Sequence, residues 1–223
     1  MDASQQGGSR EPDRPVSSPG RSERKRQAIA EAATEAFLGH GYSRTTMDDI
    51  AKRAGVSKQT IYMHFTDKEQ LLSEVVLAIT TAASRPFDDD IHLLGGSEDL
   101  DVDLRTHARQ QLTLVMQPRP LQLRRLVIAE AVTFPELGRS FYELGPGRTI
   151  KELTAVFRRL DQRGLLRTPD AARAASDFNW LVMSEPINRA MLLGDDRPPG
   201  RSSINRWADQ AVLTFLAAYR AGD

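Results

Sequence analysis

Apolar residues first fall into register at Ile29, Ala32, Ala33, Ala36 and Phe37, spaced as one face of an α-helix that Gly39 and Gly41 bring to an end. Thr46 then offers a hydroxyl as N-cap with the Asp49 carboxylate three residues on, and Ile50, Ala51 and Ala54 give a short second helix its inner face up to Gly55. Ser57 is the next N-cap, with Ile61 and Phe65 four apart behind it. Asp67 opens a fourth helix, Lys68 to about Thr81, carrying Leu71, Leu72, Val75, Val76 and Ile79. The third helix is left with only about two turns.

No later window alternates with period two. Pro86 to Asp103, with Asp88-Asp89-Asp90 and Gly95-Gly96, reads as a loop, Leu104 to Met116 as a helix stopped by Pro118 and Pro120, and Leu121 to Thr133 as another. Pro135 and Pro146 stand where helices can start, the second leading into Ile150, Leu153, Val156, Phe157 and Leu160 before Gly164. Asp170 to Leu193 is a long apolar helix interrupted by Pro186, and Ile204 to Tyr219 closes the chain. The pattern predicts an all-α protein of roughly nine helices without internal repeats. Residues 1–21 are rich in Gly, Ser, Pro and Arg and cannot offset their ordering entropy by burial, which predicts a disordered arm. The expected division is then a small domain of short helices over residues 22–66 and a larger helical domain over 67–223.

Composition narrows the classes. The 223 residues hold 40% hydrophobic and 27% charged side chains, with no apolar run long enough for a membrane span, so no membrane partner is expected. Cys is absent and the N-terminus lacks the apolar core of a secretory signal, which together predict a reducing, cytoplasmic setting. A net charge of zero argues against coating nucleic acid by bulk charge and leaves room for a local basic face. His40, His64, His92 and His107 lack zinc-site spacing. Asp99, Asp101 and Asp103 open like a calcium loop, but Leu104 replaces the needed Gly and Gln110 the bidentate Glu. With no nucleophile elbow and no opposed carboxylates, neither an enzyme nor a cofactor is expected.

Two short helices joined by Gly55-Val56-Ser57 fit a helix-turn-helix whose second member, Lys58 to Phe65, enters the DNA major groove. Lys58 can donate to guanine, Gln59 can pair bidentately with adenine, and Thr60 can offer a methyl to thymine. Arg44, Thr46, Ser57, Tyr62, His64 and Lys68 are candidates for phosphate contacts. Arg21, Arg24, Lys25 and Arg26 can serve an arm that touches the minor groove or backbone, or can belong to a solvated tail. The competing reading of the short pair is a helical hairpin with a merely solvated polar face.

Residues 24 to 77 resemble the DNA-binding domain of the TetR family of transcriptional regulators. The residues that carry this are Ala36-Phe37, Gly41-Tyr42, Thr45 through Ala51, Ala54-Gly55-Val56-Ser57, and Ile61 through Leu72. Gln59 departs from the Gly or small residue common there, so operator preference does not transfer. Leu126 through Ala131, Phe134 through Leu137 and Phe141-Tyr142 are similar to one C-terminal subgroup of that family. The resemblance implies a homodimeric repressor of a double-stranded operator, with a variable helical domain that binds a small-molecule effector. It also implies a four-helix dimer interface from the last two helices. Phe178, Leu181, Val182, Val212, Leu213, Phe215 and Leu216 exceed what a narrow stripe needs, although ordinary core would use the same residues. His107, Met116, Phe134, Trp180 and Met183 are candidates for an effector pocket, again with core as the alternative, and Pro186 for a kink beside it. Effector binding would reorient the fourth helix and spread the two recognition helices. The alternatives are a helical small-molecule-binding or adaptor protein without DNA function, or a cofactor-free enzyme.

Overall fold

A computed structural model of the chain describes residues 20–94, 96, 99–194 and 198–222, and within them every regular element is an α-helix. In chain order these are α1 (Arg21–His40), α2 (Met47–Arg53), α3 (Lys58–His64), α4 (Lys68–Leu93), α5 (Leu100–Val115), α6 (Pro118–Glu130), α7 (Pro135–Leu144), α8 (Pro146–Gln162), α9 (Ala171–Leu193) and α10 (Arg201–Tyr219). The starts follow the expected chemistry. Thr46 and Asp49 form a reciprocal capping box, and the side chains of Ser57, Asp67 and Asp170 each accept a hydrogen bond from the backbone N–H three residues on. Prolines occupy the first position of α6, α7 and α8, where a missing N–H costs nothing.

Several boundaries differ from the sequence expectation. α4 does not stop near Thr81; it runs through Pro86 to Leu93, so 86–93 are helical and not loop, and α5 starts at Leu100. An internal proline costs a helix about 3 kcal/mol, and burial of Ile91 and Leu94 beyond it offsets a loss of that size. Pro118 opens α6 and does not merely stop α5. Arg21, Arg24, Lys25 and Arg26 lie inside the first turns of α1, not on an arm ahead of it, since Glu23 complements the helix start and basic residues are good helix formers. The rest of the expected arm lies outside the described residues.

The core divides into two clusters. One joins α1, α2, α3 and the start of α4 to α6 and α7 through Phe37, Ile61, Phe65, Leu71 and Leu126. The other holds α5, α8, α9 and α10 around Phe157, Phe178 and Phe215, whose ring centroids lie 5.1 to 5.8 Å apart. α5 is clamped to α10 where Arg109 donates from Nε and Nη2 to the two Asp209 oxygens, each at 2.8 Å. The chain end is tied back by Arg167 N–H donating to the Tyr219 carbonyl at 2.8 Å.

His107 lies in the second cluster, its ring 6.2 Å from that of Phe178, and burial pushes its pKa down to about 4. The fold therefore holds His107 neutral while an unfolded chain protonates it near 6.5. Unfolding then takes up a proton in acid, so stability should fall as pH drops from the unfolded value toward about 4. Chemical denaturation at a series of pH values should show this slope, and His107→Leu should flatten it.

Candidate nucleic-acid interface and cavity

The turn between α2 and α3 is set by Gly55, whose φ of 65° lies in the left-handed region. Ser57 Oγ accepts from Thr60 N–H at 3.1 Å and lies 2.9 Å from Thr60 Oγ1. Ile61 is fully buried against α1 and α2, which turns the opposite side of α3 to solvent. That side carries Lys58, Gln59, Tyr62 and Met63. Met63 is 77% exposed. Its place four residues after Gln59 on the same face is the signal the sequence holds for it.

The face is constrained by its own carboxylates. Lys58 Nζ lies 2.9 Å from Asp48, and this hydrogen bond raises the Lys58 pKa. Thr60 is half-buried with its hydroxyl engaged by Ser57. Thr46 is a correction: its hydroxyl accepts from Asp49 N–H and donates to the Asp49 carboxylate at 2.6 Å, so it has no donor left for a phosphate. Ser57 and Tyr62 are exposed, His64 is half-buried, and Arg44 lies at the surface with Nε donating to the His40 carbonyl. Arg26 is likewise taken, paired with Glu74 and lying over the Phe65 ring.

Lys68 is the second correction. Its Nζ donates to the carbonyls of Tyr42 at 3.0 Å and Thr45 at 2.9 Å and stands 4.0 Å from the Tyr42 ring centroid. It closes the α1–α2 connection onto the start of α4. The other face of this joint is aromatic: Tyr42 meets the Phe134 ring edge to face at 5.1 Å. Phe134 is therefore the residue from which α7 begins, packed against the N-terminal helices, and it is not in the lining of the cavity among α4 to α9.

A cavity of about 70 Å³ lies among α4, α5, α6, α7, α8 and α9. Of the five expected lining residues only Met183 reaches it. His107 and Met116 are packed in the core, and Trp180 faces outward at 38% exposure, because its neighbours Phe178 and Asn179 take the inner side of α9. Pro186 does not line it either. The polar lining was missed. Gln111 and Asn179 are buried, and Gln111 Nε2 donates to Asn179 Oδ1 at 2.9 Å while Gln111 Oε1 and Asn179 Nδ2 are left without a partner. Arg124, whose pKa burial lowers, lies 5.3 Å above the Phe141 ring. Amide side chains within apolar runs, as in Phe178-Asn179-Trp180, were the readable signal.

The predicted dimer surface divides too. Phe178, Val182, Val212, Phe215 and Leu216 are buried inside the single chain, where the aromatic cluster uses them, and cannot form an outer face. Leu181 and Leu213 are exposed, together with Trp180. Among the described residues no group of three or more His, Asp or Glu is placed to hold a metal, and no helix is long and apolar enough to cross a membrane.

Residues 29–75 match the model of the tetR family of bacterial regulatory proteins, and residues 103–221 match the C-terminal domain of AefR-like transcriptional repressors. The transcriptional regulator TtgR of Pseudomonas putida is 39% identical over 205 residues, covering 84% of this chain and 89% of TtgR. A TetR-family regulator of Mesorhizobium loti superposes with a TM-score of 0.83 at 39% identity, covering 91% of this chain and all of that one. The flavonoid-responsive regulator FrrA superposes with a TM-score of 0.73 at 32% identity, covering 90% and 99%. Two further relatives match only in part: the chain spans 59% of YhgD of Bacillus subtilis and 25% of SrpR of Pseudomonas putida.

The joint at Lys68 makes a direct forecast. Lys68→Met removes two charge-assisted hydrogen bonds at a half-buried position, and unfolding in urea should show a loss of about 1–3 kcal/mol.

Proposed function

Since the chain belongs to the TetR family of transcriptional regulators, we propose that it is a homodimeric repressor that reads a roughly palindromic operator and releases it on binding a small effector. The observation that carries this reading is the solvent-facing side of α3, a two-turn helix held by Ile61 that offers Lys58, Gln59, Tyr62 and Met63 together. Lys58 and Gln59 supply hydrogen bonds to base edges, and Met63 joins Thr60 as an apolar contact for a thymine methyl. Ser57, Tyr62, His64 and Arg44 serve the phosphates, helped by Arg21, Arg24 and Lys25 on the exposed start of α1. The exposed side of α9 and α10, with Trp180, Leu181 and Leu213, supplies the self-contact. Such a protein works in the cytoplasm, where its operator is.

The cavity is the effector site in this reading. α7 supports the coupling: Phe141 lines the cavity, and Phe134 at the opposite end presses on Tyr42 beside Lys68. An effector that moves α7 disturbs the joint that orients α3. FrrA is a flavonoid-responsive regulator, which favours an aromatic effector here.

Fluorescence anisotropy with duplexes tiling the DNA upstream of the protein's own gene tests the reading. Saturable binding to one tile should weaken as salt rises, in proportion to the phosphates contacted. Gln59→Ala should reduce affinity for that tile by about tenfold. Asp48→Asn, which frees Lys58 and removes a negative charge, should raise it about twofold to fivefold. Equal, weak binding to every tile and to random duplex would favour a helical binding protein without DNA function.

A further inference from the structure

The cavity's polar lining names a ligand chemistry more closely than its family does. Its walls are mostly apolar, from Ile79, Val115, Leu123, Phe141 and Met183. The Thr80 and Thr149 hydroxyls also line it, Thr149 Oγ1 donating to the Gly145 carbonyl, and three larger polar groups break the apolar walls. Gln111 and Asn179 bond each other once and keep one spare acceptor and one spare donor. Exchanging O and N in both amides preserves that count, so the pair always presents one of each. The third group is Arg124, which lies over Phe141 and has no carboxylate partner among the described residues.

Each feature constrains a ligand. A buried donor and acceptor left unmade cost free energy, so the pair favours a group that both donates and accepts, which a hydroxyl does. An arginine without a counter-ion in an apolar site favours an anionic oxygen. The Arg124–Phe141 pair is a cation on a ring face, a platform on which a second flat ring can stack. Resting on the reading of the cavity as the effector site, we propose that the effector is a hydroxylated aromatic acid, its anionic oxygen held by Arg124 and its hydroxyl bridging Gln111 and Asn179.

The void also predicts how such a ligand enters. A benzene-sized guest occupies a cavity of about 150 Å³, so the observed 70 Å³ must widen. The α7–α8 corner is tightly packed and has no room for a side chain: a Cβ on Gly145 would meet the Phe141 carbonyl oxygen at 2.9 Å, and one on Gly147 the Tyr142 carbonyl oxygen at 2.9 Å. Widening that moves Phe141 acts on α7, the helix that Phe134 opens.

The test is calorimetric titration of the full chain with para-coumarate, its neutral amide para-coumaramide, and cinnamate, which lacks the hydroxyl. Para-coumarate should bind about tenfold or more tightly than either analogue. Arg124→Met should erase the preference for the acid over the amide, and Gln111→Met should erase the preference for para-coumarate over cinnamate. Circular dichroism confirms that each variant folds, and Arg124→Gln serves if Arg124→Met does not. Equal binding of acid and amide to the native chain, a preference unchanged in Arg124→Met, or no binding of any probe would overturn the proposal. Anisotropy on the operator duplex separates it from the reading beneath it. An Arg124-dependent ligand that leaves DNA affinity unchanged upholds the ligand chemistry and removes the effector role, whereas intact operator binding with no ligand selectivity does the reverse.

Discussion

The arrangement of α1, α2 and α4 depends on where one ammonium group sits. Lys68 gathers the carbonyls of Tyr42 and Thr45 and covers the Tyr42 ring, closing a connection that has no regular structure onto the first turn of α4. Lysine suits the place because its compact charge can serve two carbonyls while its stem lies along an apolar surface. Without that closure α1 and α2 would be fixed to α4 chiefly by apolar burial, which is strong but weakly directional. The hydrogen bonds supply direction, and α3 inherits its aim from them through Ile61 and Phe65.

The two cores are consequently not independent. The first reaches forward to α6 and α7 through Leu123, Leu126 and Leu137, and those helices also wall the cavity through Arg124 and Phe141. A ligand placed there touches residues one helical turn from side chains that hold the DNA-binding helices. The second core, closed by its three phenylalanines and by Arg109 on Asp209, is better suited to serve as the fixed frame.

The sequence made some of this legible and hid the rest for physical reasons. Capping boxes and inner-face spacing are local, so α2, α3 and the start of α4 could be placed from Thr46, Ser57 and Asp67 alone. The far half of α4 could not, because Pro86 is a local stop signal and its rescue by Ile91 and Leu94 is tertiary. Lys68 and Arg26 looked like free cations because their partners lie 23 to 48 residues away. The cavity failed most widely: large apolar residues are chosen by any core, whereas Gln111, Asn179 and Arg124 mark a site by being polar where nothing requires it. Phe178 and Phe215 erred in the same direction, since an apolar surplus in α9 and α10 serves an inner aromatic cluster as readily as an outer surface.

The unbroken length of α4 has a mechanical meaning. Its far end is anchored at Ile91, its middle passes the cavity at Ile79 and Thr80, and its near end carries Lys68. At about 1.5 Å per residue, the cavity lies roughly 17 Å from the anchored end and Lys68 roughly 35 Å. The helix is then a lever with its fulcrum in the second core. A sideways push at the cavity would arrive at the Lys68 end roughly doubled, and breaking the rod near Pro86 would cost the protein its gearing before it cost either of its grips.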